Sequence, residues 1–350
     1  MSGAEPLTWR AALTVWDMPL PAAVLLVLAA ALYLWGVTRA ARWPWPNTVS
    51  FLAGLLVTAV AVGGSVGVYS HVLFVMHMVQ HLALIAVAPI LLVLGHPLEL
   101  LRRTTTGRPR DLLRRAGRSR VVTVVTHPLV VFVCYAVVVF GTHLTGFQQG
   151  AMTVPALHPA EEVLYLASGY LLALLVLGDG PLPRRFPYLM RVVLLLVGMV
   201  VDTVVGVTLL MTTHEPFPAY AEMARTWGPD PLTDLHWGGA LMWVGGDGLM
   251  TALAIVVIAA WLRSSEGGDL GPWLEAARRS ALLGTGAGEG AGADRDTAPA
   301  GTADIDEDEE ALRAYNAMLA RLSATERDQH RRGPDAGTDR GRPRRPPSTE

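Results

Sequence analysis

VLFVMHMVQHLALIAVAPILLVLGHP, residues 72–97, decides how this chain is read. The run is long enough to cross a bilayer, whose hydrocarbon core needs about 20 apolar residues. Yet it carries two imidazoles, His77 and His81, in its first half. Polar groups inside a span are costly, which makes them functional candidates by default. Working outward, comparable apolar runs recur at roughly 18–38, 48–70, 121–141, 160–178, 189–212 and 237–262. Seven such runs predict an all-α polytopic membrane bundle of seven transmembrane helices. The composition agrees: 51% hydrophobic, only 17% charged, with a mean hydropathy of +0.37, which excludes an ordinary soluble domain.

Arginine sets the expected orientation. The first connection carries Arg39 and Arg42, and the third, residues 98–120, carries eight arginines against Glu99 and Asp111. The fifth has Arg184 and Arg185, with Arg191 just inside the next run. The second and fourth have none, and the sixth only Arg225. By the positive-inside rule this alternation predicts an outside N-terminus and a cytoplasmic C-terminus. The first run has no basic segment ahead of it and is read as an uncleaved helix, not a signal peptide. Residues 1–262 are expected to form the transmembrane domain. Residues 263–350, rich in Gly, Ala, Arg, Asp and Pro, read as a cytoplasmic, largely disordered tail. Within the tail, Leu312, Tyr315, Leu319 and Leu322 share one face of a short helix near 305–325 that could dock a cytoplasmic partner. Cys134 is the single cysteine, so neither a disulfide nor a CxxC site can form, and it reads as a packing residue. Nothing in the chain points to nucleic acid.

The histidines segregate on this topology. His71, His77 and His81 belong to the outer part of the third span, His143 ends the fourth and His158 begins the fifth. His214 follows the sixth and His236 opens the seventh. Spaced i, i+4, the imidazoles of His77 and His81 project from one helical face and can chelate one ion. Asp202 and Asp247 reach a depth of about 16 Å, similar to the roughly 15 Å of His81, and are expected to orient imidazoles or relay protons. Met76, Met78, Met152, Met211 and Met242 lie near the same layer, and thioether with imidazole suits copper, although a methionine in an apolar helix is more often filler. His71, His96 and His127 sit where polar tips reach water and read as interfacial residues.

Several stretches then resemble one family. HMVQHLALIAVAPILLVLGHPLELLRR (77–103), GTHLTGFQQGA (141–151), His158 followed by YLASGYLL (165–172), and PAYAEMARTWGPDPLTDLHWGGALMWVGGD (218–247) resemble the CtaG family of assembly factors for caa3-type cytochrome c oxidase. The resemblance spans about residues 20–262. It implies a non-enzymatic, multi-pass protein of the bacterial plasma membrane that contacts cytochrome c oxidase subunits and the lipid bilayer, and helps copper reach the oxidase. By position the resemblance carries over His77, His81, His143, His158 and the segment Asp234 to Trp243; the copper site expected here is His77 and His81, with His143, His158, His214 or His236 and Met211 contributing. One departure stands out: an H-x-x-E-H arrangement is expected from His158, but Glu161 is followed by Glu162. Glu162 can replace an imidazole only as a harder oxygen ligand, which favours Cu(II) or a supporting role over Cu(I). Two competing classes remain at this level. A haem-binding membrane oxidoreductase predicts a Soret band. A proton-coupled transporter predicts paired repeats with broken helices, and no internal repeat is evident.

Overall fold

The computed structural model describes residues 6–178, 186–222 and 225–264. The predicted tail, apart from its first two residues, lies outside the described residues. The described chain is all helical, and its long helices are α1 (Leu20–Arg39), α2 (Trp45–Gly63), α3 (Phe74–Leu82), α4 (Pro128–His143), α5 (Phe147–Thr153), α6 (Leu157–Leu177), α7 (Tyr188–Met211), the short α8 (Pro218–Ala221) and α9 (Pro231–Arg263), with shorter pieces between them. Six helical stretches are long and apolar enough to span a membrane, the third of them running Phe74–Thr104. A seventh is reached if α4 and α5, bent by 67° from each other, count as one span. This is a multi-pass membrane protein. Its exposed leucines and valines, such as Val24, Leu25, Val27 and Leu32 on α1, form the kind of apolar face that lipid covers.

The expected fourth span, 121–141, breaks near its start. Proline disfavours helical backbone in the residue before it, and His127 is extended there while its Nδ1 accepts from the Leu129 N–H at 3.3 Å. Helix α4 therefore starts afresh at Pro128. Its 16 residues rise about 24 Å, short of a full crossing. The seventh span departs the other way. The run expected at 237–262 starts earlier, because Pro231 occupies the first helical position, where its missing N–H costs nothing. Asp230 caps that end by accepting from Thr233 N at 3.1 Å, so α9 carries Asp234 and His236 on its first turns.

Small residues set how the helices meet. Along α7, Gly198, Asp202 and Gly206 face Met250, Gly246 and Gly239 of α9, so the two run antiparallel with backbones in close approach at Gly206 and Gly239. Helix α3 runs parallel to α9, with Gly238 against Phe74 and Met78 and Gly245 against Leu82. Beyond α3 the chain passes through a π turn, Ala83–Val87, before helix resumes at Ala88. Pro89 explains it: its ring cannot donate to the Ile85 carbonyl four residues back. That carbonyl sits directly on Gly169 of α6, where no Cβ would fit. The pairs His77–Glu161, His81–Tyr165 and Ile85–Gly169 show α6 parallel to α3. The starts of α3, α6 and α9 and the end of α4 thus gather at one end of the bundle. Cys134 is exposed on α4 instead of packed. A helix apolar all round does not declare in its sequence which side meets lipid.

Candidate metal centre

At the shared end, α3, α4 and α6 bring four histidines and a glutamate together. His77 and His81 meet edge to face one turn apart on α3, with ring centroids 4.0 Å apart. From α6, His158 approaches His77 at 5.7 Å, and from the end of α4, His143 approaches His81 at 5.2 Å. Glu161 lies at the centre: its carboxylate oxygens are 3.8 Å from His77 Nε2, 3.5 Å from His81 Nε2 and 3.7 Å from His158 Nδ1. His77 and Glu161 are wholly buried, and His81, His143 and His158 nearly so.

The polar atoms here lack partners within the protein. Both ring nitrogens of His77 and of His158, Nδ1 of His81, Nε2 of His143 and both oxygens of Glu161 accept or donate no hydrogen bond among the described residues. A buried carboxylate and imidazoles in that condition are strongly unfavourable unless a cation or shared protons complete them. The geometry suits a metal ion: ligand atoms of His77, His158 and Glu161 all lie within 4.8 Å of one another. Imidazole with one carboxylate is a donor set for Cu(II), Zn or Fe more than for a soft all-sulfur ion.

Supporting contacts fix the rings. His143 Nδ1 lies 3.0 Å from the Val139 carbonyl, which can only accept, so that nitrogen carries the proton and Nε2 presents a bare lone pair. Tyr165 stacks on His81 at 3.8 Å, and its hydroxyl reaches Thr142 Oγ1 at 2.7 Å. Glu162 stands beside the cluster, accepting from Gln80 Nε2 at 2.7 Å while lying 3.5 Å from His158 Nε2; Gln80 also donates to the Ala61 carbonyl. Asp234 holds the start of α3 from across the bundle, accepting from the Phe74 and Val75 N–H groups at 2.8 and 3.1 Å and pairing with Arg225 at 3.3 Å. Helix α8 covers the cluster: Phe217 and Tyr220 pack on Phe74, and the Tyr220 hydroxyl donates to the Ser70 carbonyl at 2.9 Å.

Other expected site residues lie apart. Met211 is 74% exposed and His214 is exposed, while His236 Nε2 meets the Thr212 carbonyl at 2.9 Å at the end of α7. Asp202 accepts from Tyr135 at 2.8 Å and Asp247 from Thr203 at 2.8 Å; neither touches an imidazole. Met78 and Met242 belong to the hydrophobic core, not to the cluster. A roomier cleft, about 520 Å³, opens between the starts of α4 and α7, but its lining is mostly apolar and no donors converge there.

Two cluster residues escaped the sequence reading. Glu161, not Glu162, takes the central place, although both lie on the His158 side of α6 at i+3 and i+4. His71 was read as interfacial. Residue 71 is exposed, yet its ring packs on His158 with centroids 4.3 Å apart. Loss of hydration, then the neighbouring His158, push its pKa down to about 4 against the pull of Glu161, so it is neutral at pH 7.

Comparison with known proteins follows the same residues. The chain is 29% identical over 274 residues to an uncharacterised protein of Mycobacterium bovis and, equally, to one of Mycobacterium tuberculosis. That alignment covers 75% of this chain and 42% of each relative, so the chain spans less than half their length. An uncharacterised protein of Mycobacterium leprae is 26% identical over 246 residues, covering 67% of this chain and 37% of its own. No solved structure matches significantly. The family described as cytochrome c oxidase caa3 assembly factor matches residues 31–264, which contain every helix of the cluster. The chain belongs to that family.

Proposed function

We propose that the protein assists assembly of a haem–copper terminal oxidase by holding copper, as cargo, among His77, His81, His158 and Glu161, with His143 as a further donor. The observation that carries this reading is the set of unpartnered, buried donor atoms converging from α3, α4 and α6. Family membership supplies the context of oxidase assembly. The chain's own residues bind the ion, orient its ligands through Val139 and Gln80, and exclude water with α8. No bond in a substrate is made or broken, so the role is carriage and release. The carboxylate suits it: an oxygen donor binds copper less tightly than thiolate would and leaves the ion exchangeable. By the positive-inside rule the arginine-poor connections at this end support an outward-facing site, on the side where oxidase subunits would receive copper.

The test is metal analysis of the purified full chain beside His77→Ala/His81→Ala, with oxidase activity measured in cells carrying each. Copper in the wild type, its loss in the double variant and a parallel fall in oxidase activity are expected. Normal oxidase activity in the double variant would remove the site. An absorption spectrum of the same sample reads out haem directly.

A further inference from the structure

Among the described residues, the rings of the cluster form a graded series from solvent to interior. His71 is exposed, His158 is 7% exposed, His81 4% and His77 0%. The rings are also close in space, in a different order at the inner end: 4.3 Å between the His71 and His158 rings, 5.7 Å between His158 and His77, and 4.0 Å between His77 and His81. Elsewhere the cluster is closed over. Phe217 and Tyr220 are buried against Phe74, with Tyr220 tied to Ser70, and the core helices close the rest. A buried site still has to exchange its ion with a donor and a recipient, and residue 71 is exposed while its ring packs against a cluster member.

Resting on the copper-carrying role argued above, we propose that His71 is a separate surface acceptor for copper, through which the ion passes to and from the buried donors. The ion binds His71 at the surface, and His158, whose ring nitrogens have no partner in the protein, forms the next bond as the bond to His71 breaks. Glu161, 3.7 Å from His158 Nδ1, and then His77 take it inward. Each step exchanges one nitrogen or oxygen lone pair for another at the metal. No electron moves and the oxidation state is unchanged. With metal–nitrogen bonds near 2 Å, one ion can bridge ligand atoms about 4 Å apart, and ligand atoms of His158, Glu161 and His77 lie within 4.8 Å of one another. A sequential relay keeps the ion coordinated throughout and avoids stripping it bare in an apolar interior.

The experiment uses the purified full chain, Cu(II) supplied as its weak glycine complex, and a water-soluble Cu(II) chelator for removal. Loading and release are followed in time, and copper content is measured after long incubation. In His71→Gln, a similar-sized side chain without a ring nitrogen, both rates should fall about tenfold while final content reaches that of wild type, and His71→Glu, which restores a Cu(II) ligand, should recover most of the rate. Wild-type rates in His71→Gln would overturn the proposal. So would a lowered final content, which would make His71 part of the buried donor set, and so would a His71→Glu variant as slow as the glutamine one. His77→Ala reports on the buried site separately, since it should lose copper at equilibrium. A wild-type chain that holds no copper sinks the carrier reading itself, and this relay with it.

Discussion

At the residue scale, the centre turns on one carboxylate. Glu161 is wholly buried between three imidazoles. Glu161→Gln keeps its shape and removes its charge, and should weaken copper retention by roughly 10–100-fold in a competition assay. Glu162→Gln should do much less, because Glu162 already has a partner in Gln80. Asp234 sets the position of the donors instead of touching them. Asp234→Ala strands Arg225 and two N–H groups at the start of α3, and should destabilise the protein by about 3 kcal/mol in denaturation of the detergent-solubilised chain. His77 and His81 were legible because i, i+4 spacing on a helix is fixed by geometry alone. Glu161 was not, since i+3 and i+4 are both neighbours of His158 and only the tilt of α6 decides between them. His71 was hidden for a related reason: a boundary histidine looks the same in sequence whether or not another ring lies beside it.

Among the elements, the crossing of α6 with the π turn after α3 positions the donors along the helix axis. Gly169 has no space for a methyl group beyond the Ile85 carbonyl. Gly169→Ala should wedge these segments apart, at a cost of about 1–3 kcal/mol and with a lowered melting temperature. It should also lower copper content, since Glu161 rides on the same helix two turns earlier. The long apolar helices were legible from run length alone. The break before α4 was written in His127-Pro128 but masked by the apolar residues around it, and the start of α9 was misjudged because proline opens helices as readily as it ends them. Asp202 and Asp247 matched the histidines in depth, but depth counts residues along one helix and is blind to azimuth. Both carboxylates turn toward hydroxyl partners, Tyr135 and Thr203, away from the imidazoles.

For the whole molecule, the arginine pattern makes a prediction that is independent of metal. Starting from Cys134→Ser, single cysteines placed at Thr145 or Thr213 should react with a membrane-impermeant thiol reagent added to intact cells, and one at Thr106 should react only after lysis. The reverse pattern would turn the bundle over and put the donors on the cytoplasmic side. The π turn also sets the phase between the two ends of the third span. Above it, His77 and His81 face α6, and below it Leu92 fits against Gly54 of α2. A helix turns about 100° per residue. Removing a single residue from 83–87 would therefore swing the histidine half about that far out of phase with the lower half. The chain would still be hydrophobic enough to insert, but its imidazoles would point at the wrong neighbours, so a one-residue deletion should be more damaging there than the loss of any one ligand.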